Sequence, residues 1–169
     1  MEVVIIVDRE IVPGDALRRG EGAGSRSVRN AWPPTEKAQL GWWTLETFAE
    51  LGRLRAGLRQ ALLEQQMLDG AVREIVAERI AIVATELAAN AMAYTNPPAT
   101  VELFRTETTF IVDVSDNDPW VAPSFAEERH PGYGGLGLRM TSKLSLDMGW
   151  YLDGGTKCVW AEVAIPIAG

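Results

Sequence analysis

The sequence predicts an α+β two-layer sandwich, in which a mixed or antiparallel sheet is covered on one face by helices. Segments with helical spacing come first along the chain, and short polar turns that favour hairpins join the strand-like segments that follow. Strands that pair with their sequence neighbours form antiparallel sheets, whereas a parallel α/β fold requires strands that alternate with helices.

The N-terminal part is predicted to contain one short strand and a loose extension. The β-branched run Val3–Val7 indicates the strand. Residues Pro13–Pro34 are rich in Gly, Pro, Ser and Arg, a composition typical of segments without a packed core. We therefore divide the chain into an N-terminal extension, residues 1–40, and a folded domain, residues 41–169.

Two helices are predicted next. Leucine and phenylalanine side chains recur at helical spacing through residues 43–67, and Asp69-Gly70 interrupts the pattern. The second helix is expected from Ala71 to Tyr94, where Asn96-Pro97-Pro98 ends it.

The rest of the chain predicts four strands and a short helix. The runs ATVELFR and TTFIVDVSD, separated by the polar residues 106–108, indicate a hairpin. A helix is expected over Gly134–Leu146. The runs DMGWYL and KCVWAEVAIPI, joined by a glycine-containing turn, predict a second pair of strands.

Composition excludes several classes of function. The formal net charge of -7 disfavours a nucleic-acid partner, which requires clustered Lys and Arg. Cys158 and His130 are the single residues of their types, so disulfides, cysteine-based metal sites and Ser-His-Asp chemistry are poorly supported. The start of the chain is unlike a signal peptide, and no run approaches the ~18 apolar residues of a membrane span. We expect a soluble cytoplasmic protein that binds neither nucleic acid nor membrane directly.

Two polar residues, Glu86 and Asn90, stand four residues apart at the edge of the apolar stripe of the second helix. They can form an ordinary i,i+4 surface pair. Alternatively, their oxygens suit a site in which Asn90 binds Mg²⁺ and Glu86 orients or deprotonates a hydroxyl group.

Strand alternation places Asp116 at a strand end, on the same face as the apolar residues Phe110, Val112 and Val114. A carboxylate in that position needs a hydrogen-bond donor. The donor can be the backbone of the turn that follows, or an exocyclic amine such as that of adenine.

The run 132-GYGGLGL-138 fits the pattern GxGxxG. Because no predicted strand precedes it, the sequence does not support a Rossmann dinucleotide-binding site here. It is either an ordinary loop-to-helix junction or a glycine-rich helix entry whose backbone N–H groups bind phosphates. Gly155-Thr156 lies in a hairpin turn, and taken alone it is structural.

The order of these features resembles the GHKL ATP-binding superfamily of gyrase, heat-shock chaperone, histidine kinase and mismatch-repair ATPase domains. The features are a helical ExxxN, a strand-ending Asp, a GGxGL helix start and a Gly-Thr between two strands. The ending GGTKCVWAEV and the short lid are most similar to the branch of anti-sigma-factor serine/threonine kinases. The resemblance covers roughly residues 45–167 and implies a Bergerat-type ATP-binding fold.

The resemblance also implies roles for the matching residues. Asn90 corresponds to the residue that binds Mg²⁺ between the phosphates of ATP, and Glu86 corresponds to the general base. Asp116 matches the residue that binds the adenine amino group, and Thr156 matches the threonine that supports that aspartate. The glycines that wrap the phosphates correspond to Gly134, Gly135 and Gly137. The glycines that the family has after the aspartate are missing, since Asn117, Asp118 and Pro119 follow it here.

Three functions are compatible with these observations. The first is an ATP-binding regulator that transfers the γ-phosphate of Mg-ATP to an anti-sigma antagonist protein. The second is a nucleotide-binding module without catalysis that sequesters a sigma factor or another regulator. The third is an interaction scaffold that binds no nucleotide. The expected partners are a sigma factor or its antagonist, and a second copy of this chain, because small members of this branch often form homodimers.

Overall fold

The computed structural model describes residues 26–66, 68–120, 122–125 and 136–166. Within these ranges the strands are β1 (Arg26–Ser27), β2 (Ala38–Leu45), β3 (Ala99–Arg105), β4 (Thr109–Asp116), β5 (Ser124–Phe125), β6 (Asp147–Asp153) and β7 (Thr156–Ala164). The helices are α1 (Leu51–Leu63), α2 (Gly70–Tyr94) and α3 (Leu136–Leu144). The strand predicted for Val3–Val7 lies outside the described residues.

The described part of the chain contains a five-stranded antiparallel sheet in the order β2-β3-β4-β7-β6. The helices pack on one face of this sheet, called the inner face, where apolar side chains of β4 and β7 meet those of α1 and α2. The two predicted hairpins are present as β3–β4 and β6–β7. The prediction of an α+β fold with helices on one face of the sheet is confirmed.

Local hydrogen bonds define both ends of helix α2. Asp69 Oδ1 accepts a hydrogen bond from the Val72 backbone N–H at 2.9 Å and so caps the N-terminus. At the C-terminus the Thr95 hydroxyl donates to the Ala91 carbonyl at 2.8 Å. The stripe predicted to face the core is buried, as shown by Val76, Ile80, Val83, Leu87 and Ala91. In the described ranges, none of the helices combines the length and apolar character that crossing a bilayer requires.

The first helix is shorter than predicted. Residues 43–45, which the spacing assigned to the helix, end strand β2, where Leu45 pairs with Ala99. A new turn then begins at Thr47, whose backbone N–H donates to Glu50 Oε2 at 3.1 Å. Leu45 faces the same core as Leu54, so the apolar pattern continues across a change from strand to helix. Strand β2 also spans the boundary predicted at residue 40, and the division into extension and domain otherwise stays a prediction.

The segment before β2 is ordered where the structure describes it. The Trp150 backbone N–H donates to the Arg29 carbonyl, and the Ala31 N–H donates to the Trp150 carbonyl, both at 2.9 Å. Val28 is buried, and its carbonyl accepts a hydrogen bond from Trp150 Nε1 at 3.1 Å. The prediction of a loose extension is therefore wrong for residues 28–31. Hydrogen bonds to the edge of β6, more than a hundred residues away in sequence, order residues 28–31 although their segment is rich in glycine and proline.

Residues 31–37, here called the crossing segment, continue from the edge of β6 over the outer face of the sheet, opposite the helices. Trp160 Nε1 donates to the Ala31 carbonyl at 2.7 Å, and the Trp32 and Tyr151 ring centroids lie 4.1 Å apart. At the other end, Lys37 Nζ lies 4.6 Å from the centroid of the Phe104 ring on β3. The crossing segment thereby covers a second apolar cluster, formed by Ile111, Tyr151, Cys158 and Trp160.

Candidate functional site

Helix α2 places Glu86 and Asn90 on adjacent turns at the rim of the core. Both side chains are half-buried, whereas Val83, Leu87 and Ala91 beside them are buried. Half-burial at the edge of an apolar face fits a ligand-facing pair and an i,i+4 surface pair alike. The site role of these two residues stays a prediction.

The first turn of α3 lies directly against Glu86. A Cβ atom built on Gly137 would overlap Glu86 Oε2 and would lie 3.4 Å from the carboxyl carbon Cδ. Any residue other than glycine at this position must therefore displace the Glu86 side chain. Because the N–H groups in the first turn of a helix have no acceptors within the helix, Gly137 brings hydrogen-bond donors next to this carboxylate.

Helix α3 ends at Leu144, two residues before the predicted end at Leu146. Leu138 is buried, whereas Met140 and Leu146 are 46% and 64% exposed. Gly134 and Gly135, predicted to contact phosphates, lie outside the described residues. Gly137 is thus the one member of the predicted glycine set whose surroundings are described.

Asp116 ends β4 on the inner face and is 4% exposed. Its Oδ1 accepts a hydrogen bond from the Asp118 backbone N–H at 2.9 Å, and its Oδ2 lies 3.3 Å from Lys157 Nζ. Burial raises the pKa of Asp116, and the hydrogen bond from Asp118 and the charge of Lys157 oppose that rise. One oxygen thus caps the turn, as one interpretation of the sequence predicted, and the other faces a cation on β7.

Lys157, a neighbour of Asp116, was not predicted from the sequence. It is 6% exposed and lies directly opposite Asp116 across the β4–β7 ladder. Thr156, which was predicted to support Asp116, pairs with Asp153 across the β6–β7 hairpin instead. The left-handed φ angles of Gly154 and Gly155, 55° and 84°, form the turn of that hairpin. The role predicted for Thr156 stays a prediction, and Lys157 is the cross-strand neighbour of the carboxylate.

The turn after β4 is attached to the segment that follows α2. Asn117 Nδ2 donates to the Asn96 carbonyl at 3.3 Å. Asp118 Oδ1 accepts a hydrogen bond from the Trp120 backbone N–H at 3.0 Å, and the Trp120 side chain is 83% exposed. The carboxyl end of β4, with Asp116, therefore meets the C-terminal end of α2, which carries Asn90 one turn before its last residue.

The chemistry of these residues fits a nucleotide bound together with Mg²⁺. Among the described residues no group of three or more His, Cys, Asp and Glu side chains could form a complete metal cage. A nucleotide-bound Mg²⁺ does not need one, because phosphates and water supply most of its oxygen ligands, and the Asn90 amide oxygen can add one more. The first turn of α3 offers N–H groups suited to phosphate oxygens, and the Asp116 carboxylate is an acceptor for an amine.

A comparison with protein families covers most of the chain. The histidine kinase-like ATPase domain matches residues 46–163, a range that includes Glu86, Asn90, Asp116 and Gly137. No curated protein matches the sequence. The match confirms the predicted resemblance at the level of the superfamily and supports ATP binding, while the anti-sigma branch stays a prediction. By its fold and this match, the chain belongs to the family of histidine kinase-like ATPase domains.

Proposed function

We propose that this protein is an ATP-binding regulatory serine/threonine kinase of the anti-sigma type, which transfers the γ-phosphate of Mg-ATP to an antagonist protein. The observation that carries the proposal is the contact between the Glu86 carboxylate and Gly137 in the first turn of α3. The contact puts a proton acceptor beside backbone donors that can bind phosphate, one helical turn from Asn90.

Each residue has one role in this proposal. Asn90 binds the Mg²⁺ that neutralises the phosphate charge, and Asp116 accepts a hydrogen bond from the adenine amino group. Glu86 accepts the proton of a serine or threonine hydroxyl group of the antagonist. The hydroxyl oxygen forms a bond to the γ-phosphorus while the bond from that phosphorus to the bridging oxygen breaks, which leaves ADP.

A second candidate is a nucleotide-binding module that sequesters a sigma factor or its antagonist without catalysis. Two features of the adenine end favour it. Asp116 already faces Lys157, and the turn that follows carries the carboxylate of Asp118 where the family has glycine. Both features lie at the predicted adenine end of the site, whereas neither removes Glu86.

The test measures ATP binding and phosphate transfer separately. Calorimetric titration with ATP and Mg²⁺ gives the affinity, and transfer of radioactive γ-phosphate to a panel of purified anti-sigma antagonists gives the activity. The variants are Glu86→Gln, Asn90→Ala and Glu78→Gln. Glu78 is exposed on the same helix, two turns before Glu86, so Glu78→Gln is the matched control for loss of one carboxylate.

We expect Glu86→Gln to bind ATP like the unmodified protein but to lose at least about a hundredfold in transfer rate, the size of a general-base contribution. Asn90→Ala is expected to weaken Mg-ATP binding, and Glu78→Gln to change neither quantity. Normal transfer by Glu86→Gln would exclude Glu86 as the base. ATP binding without transfer to any antagonist would favour the non-catalytic module, and no binding at millimolar ATP would exclude both candidates.

A further inference from the structure

Trp120 is the most exposed large apolar side chain among the residues that the structure describes. It is 83% exposed, compared with 61% for Trp42 and 64% for Leu146. Single exposed apolar residues are common on protein surfaces and need no explanation by themselves. Trp120 differs from the others in its position, because it follows the buried carboxylate of Asp116 by only four residues.

Two consecutive hydrogen bonds connect the backbone of Trp120 to that carboxylate. Asp116 Oδ1 accepts from the Asp118 N–H at 2.9 Å, and Asp118 Oδ1 accepts from the Trp120 N–H at 3.0 Å. Pro119 restricts the backbone between them, because its ring fixes the φ angle. Asn117 attaches the same turn to the segment after α2 by donating to a carbonyl group there at 3.3 Å. These contacts hold the turn, and they place Trp120 near the carboxylate proposed to accept from the adenine amine.

A base that is bound only through its amine leaves both faces of its ring open to water. The Asp116 carboxylate can accept a hydrogen bond at one edge of adenine, but this bond supplies no contact to the flat faces. Aromatic side chains stack on the faces of bases, and one such contact strengthens binding by about fivefold to a hundredfold. Stacking would also remove apolar surface of the exposed indole from water.

We propose that the Trp120 ring stacks on a face of the adenine base, while Asp116 accepts a hydrogen bond from the exocyclic amine. This inference rests on the proposed function, because it adds a contact at the adenine end of the same site. The family pattern has glycines in this turn, and glycine has no ring to stack on a base. The stacking contact therefore distinguishes this chain from that pattern.

The experiment compares two substitutions of Trp120 by calorimetric titration of the full-length protein with ATP and Mg²⁺. Trp120→Ala removes the ring, whereas Trp120→Phe keeps an aromatic face. Trp42→Ala is the matched control, because Trp42 is also an exposed tryptophan but lies on β2, which β3 separates from β4. We expect Trp120→Ala to bind ATP at least about fivefold more weakly than the unmodified protein. Trp120→Phe and Trp42→Ala should both bind within about twofold of it.

Intrinsic tryptophan fluorescence then shows whether the base lies against Trp120. A stacked base quenches indole emission, so ATP should quench the unmodified protein more than it quenches Trp120→Phe. The inference is wrong, while ATP binding stands, if ATP quenches these two proteins equally. It is also wrong if Trp120→Ala binds ATP as well as the unmodified protein, or if Trp120→Phe binds as weakly as Trp120→Ala. If the unmodified protein binds no ATP, the proposed function itself fails.

Discussion

Asp113 on the outer face of the sheet is expected to make the folding stability of this protein depend on pH. Asp113 is 3% exposed, and its Oδ2 accepts a hydrogen bond from the Tyr151 hydroxyl at 2.6 Å. Burial raises the pKa of Asp113 to about 6, although the hydrogen bond from Tyr151 and the charge of Lys37 oppose the rise. Glu102 and Asp153 add smaller contributions in the same direction as burial.

The direction of the effect follows from proton binding. Between the ordinary pKa of 3.8 and the folded value of about 6, the folded protein holds the Asp113 proton and the unfolded chain does not. Stability must then fall as the pH rises through this interval. The interval of roughly two pH units corresponds to about 3 kcal/mol at about 1.36 kcal/mol per unit. The buried thiol of Cys158, with its pKa raised to about 12, stays protonated throughout.

The variant Asp113→Asn removes the titrating group and keeps an oxygen that can accept from Tyr151. The new amide N–H groups destabilise the folded protein where they lack an acceptor, but this loss of stability does not vary with pH. We expect the free energy of unfolding of the variant, relative to the unmodified protein, to increase by about 2.5 kcal/mol between pH 4 and pH 8, because at pH 4 the unfolded chain has already lost part of its Asp113 proton. Urea denaturation at steps of half a pH unit measures this difference.

Glu107→Gln is the control, because it removes one carboxylate from the exposed turn between β3 and β4. Its difference from the unmodified protein should remain nearly flat over the same range. A flat difference for Asp113→Asn as well would refute the reasoning, since it would mean that the folded and unfolded chains hold the Asp113 proton equally.

Three further predictions test other contacts. Gly137→Ala is expected to displace the Glu86 carboxylate. The variant should lose about 1 kcal/mol or less in stability but at least about tenfold in the rate of phosphate transfer. An unchanged rate would show that phosphate transfer does not depend on the position of Glu86. Cys158 is 7% exposed, and burial raises the pKa of its thiol to about 12. At pH 8 it should therefore react with a disulfide reagent at least about a hundredfold more slowly in the native protein than in the protein unfolded in urea. Equal reaction rates would contradict its burial. Asp69→Ala should cost about 1 kcal/mol in urea unfolding by removing the hydrogen bond to the Val72 N–H, whereas Asp69→Ser should retain most of the stability; equal losses would exclude capping as the cause.

The elements that the sequence predicted correctly depend on contacts between residues close along the chain. Helix α2 has a clear apolar stripe, a capping aspartate and a proline stop, and each of the two hairpins joins neighbouring strands. The candidate residues Glu86, Asn90 and Asp116 were found because they interrupt apolar patterns. The boundary between β2 and α1 was missed because Leu45 and Leu54 face one core from different elements, so their spacing mimicked a single helix.

Lys157 was missed because its partner is set by pairing between strands that are distant in sequence. Alternation along β7 places Lys157 on the same face as Val159 and Ala161, and that signal was available. What alternation cannot supply is the register, which sets Lys157 rather than Thr156 opposite Asp116. Register depends on the whole β4–β7 ladder, so a one-residue difference in the pairing would change the chemistry at the end of the site.

The two buried aspartates of β4 lie in different surroundings on the two faces of the sheet. Asp113 and Asp116 are three residues apart, so strand alternation alone puts their side chains on opposite faces of the sheet. Asp113 is 3% exposed and accepts a hydrogen bond from the Tyr151 hydroxyl. The crossing segment, residues 31–37, lies over the same outer face and packs on Tyr151 and Phe104. The pH dependence expected of this protein therefore arises from contacts that only the folded sheet brings together.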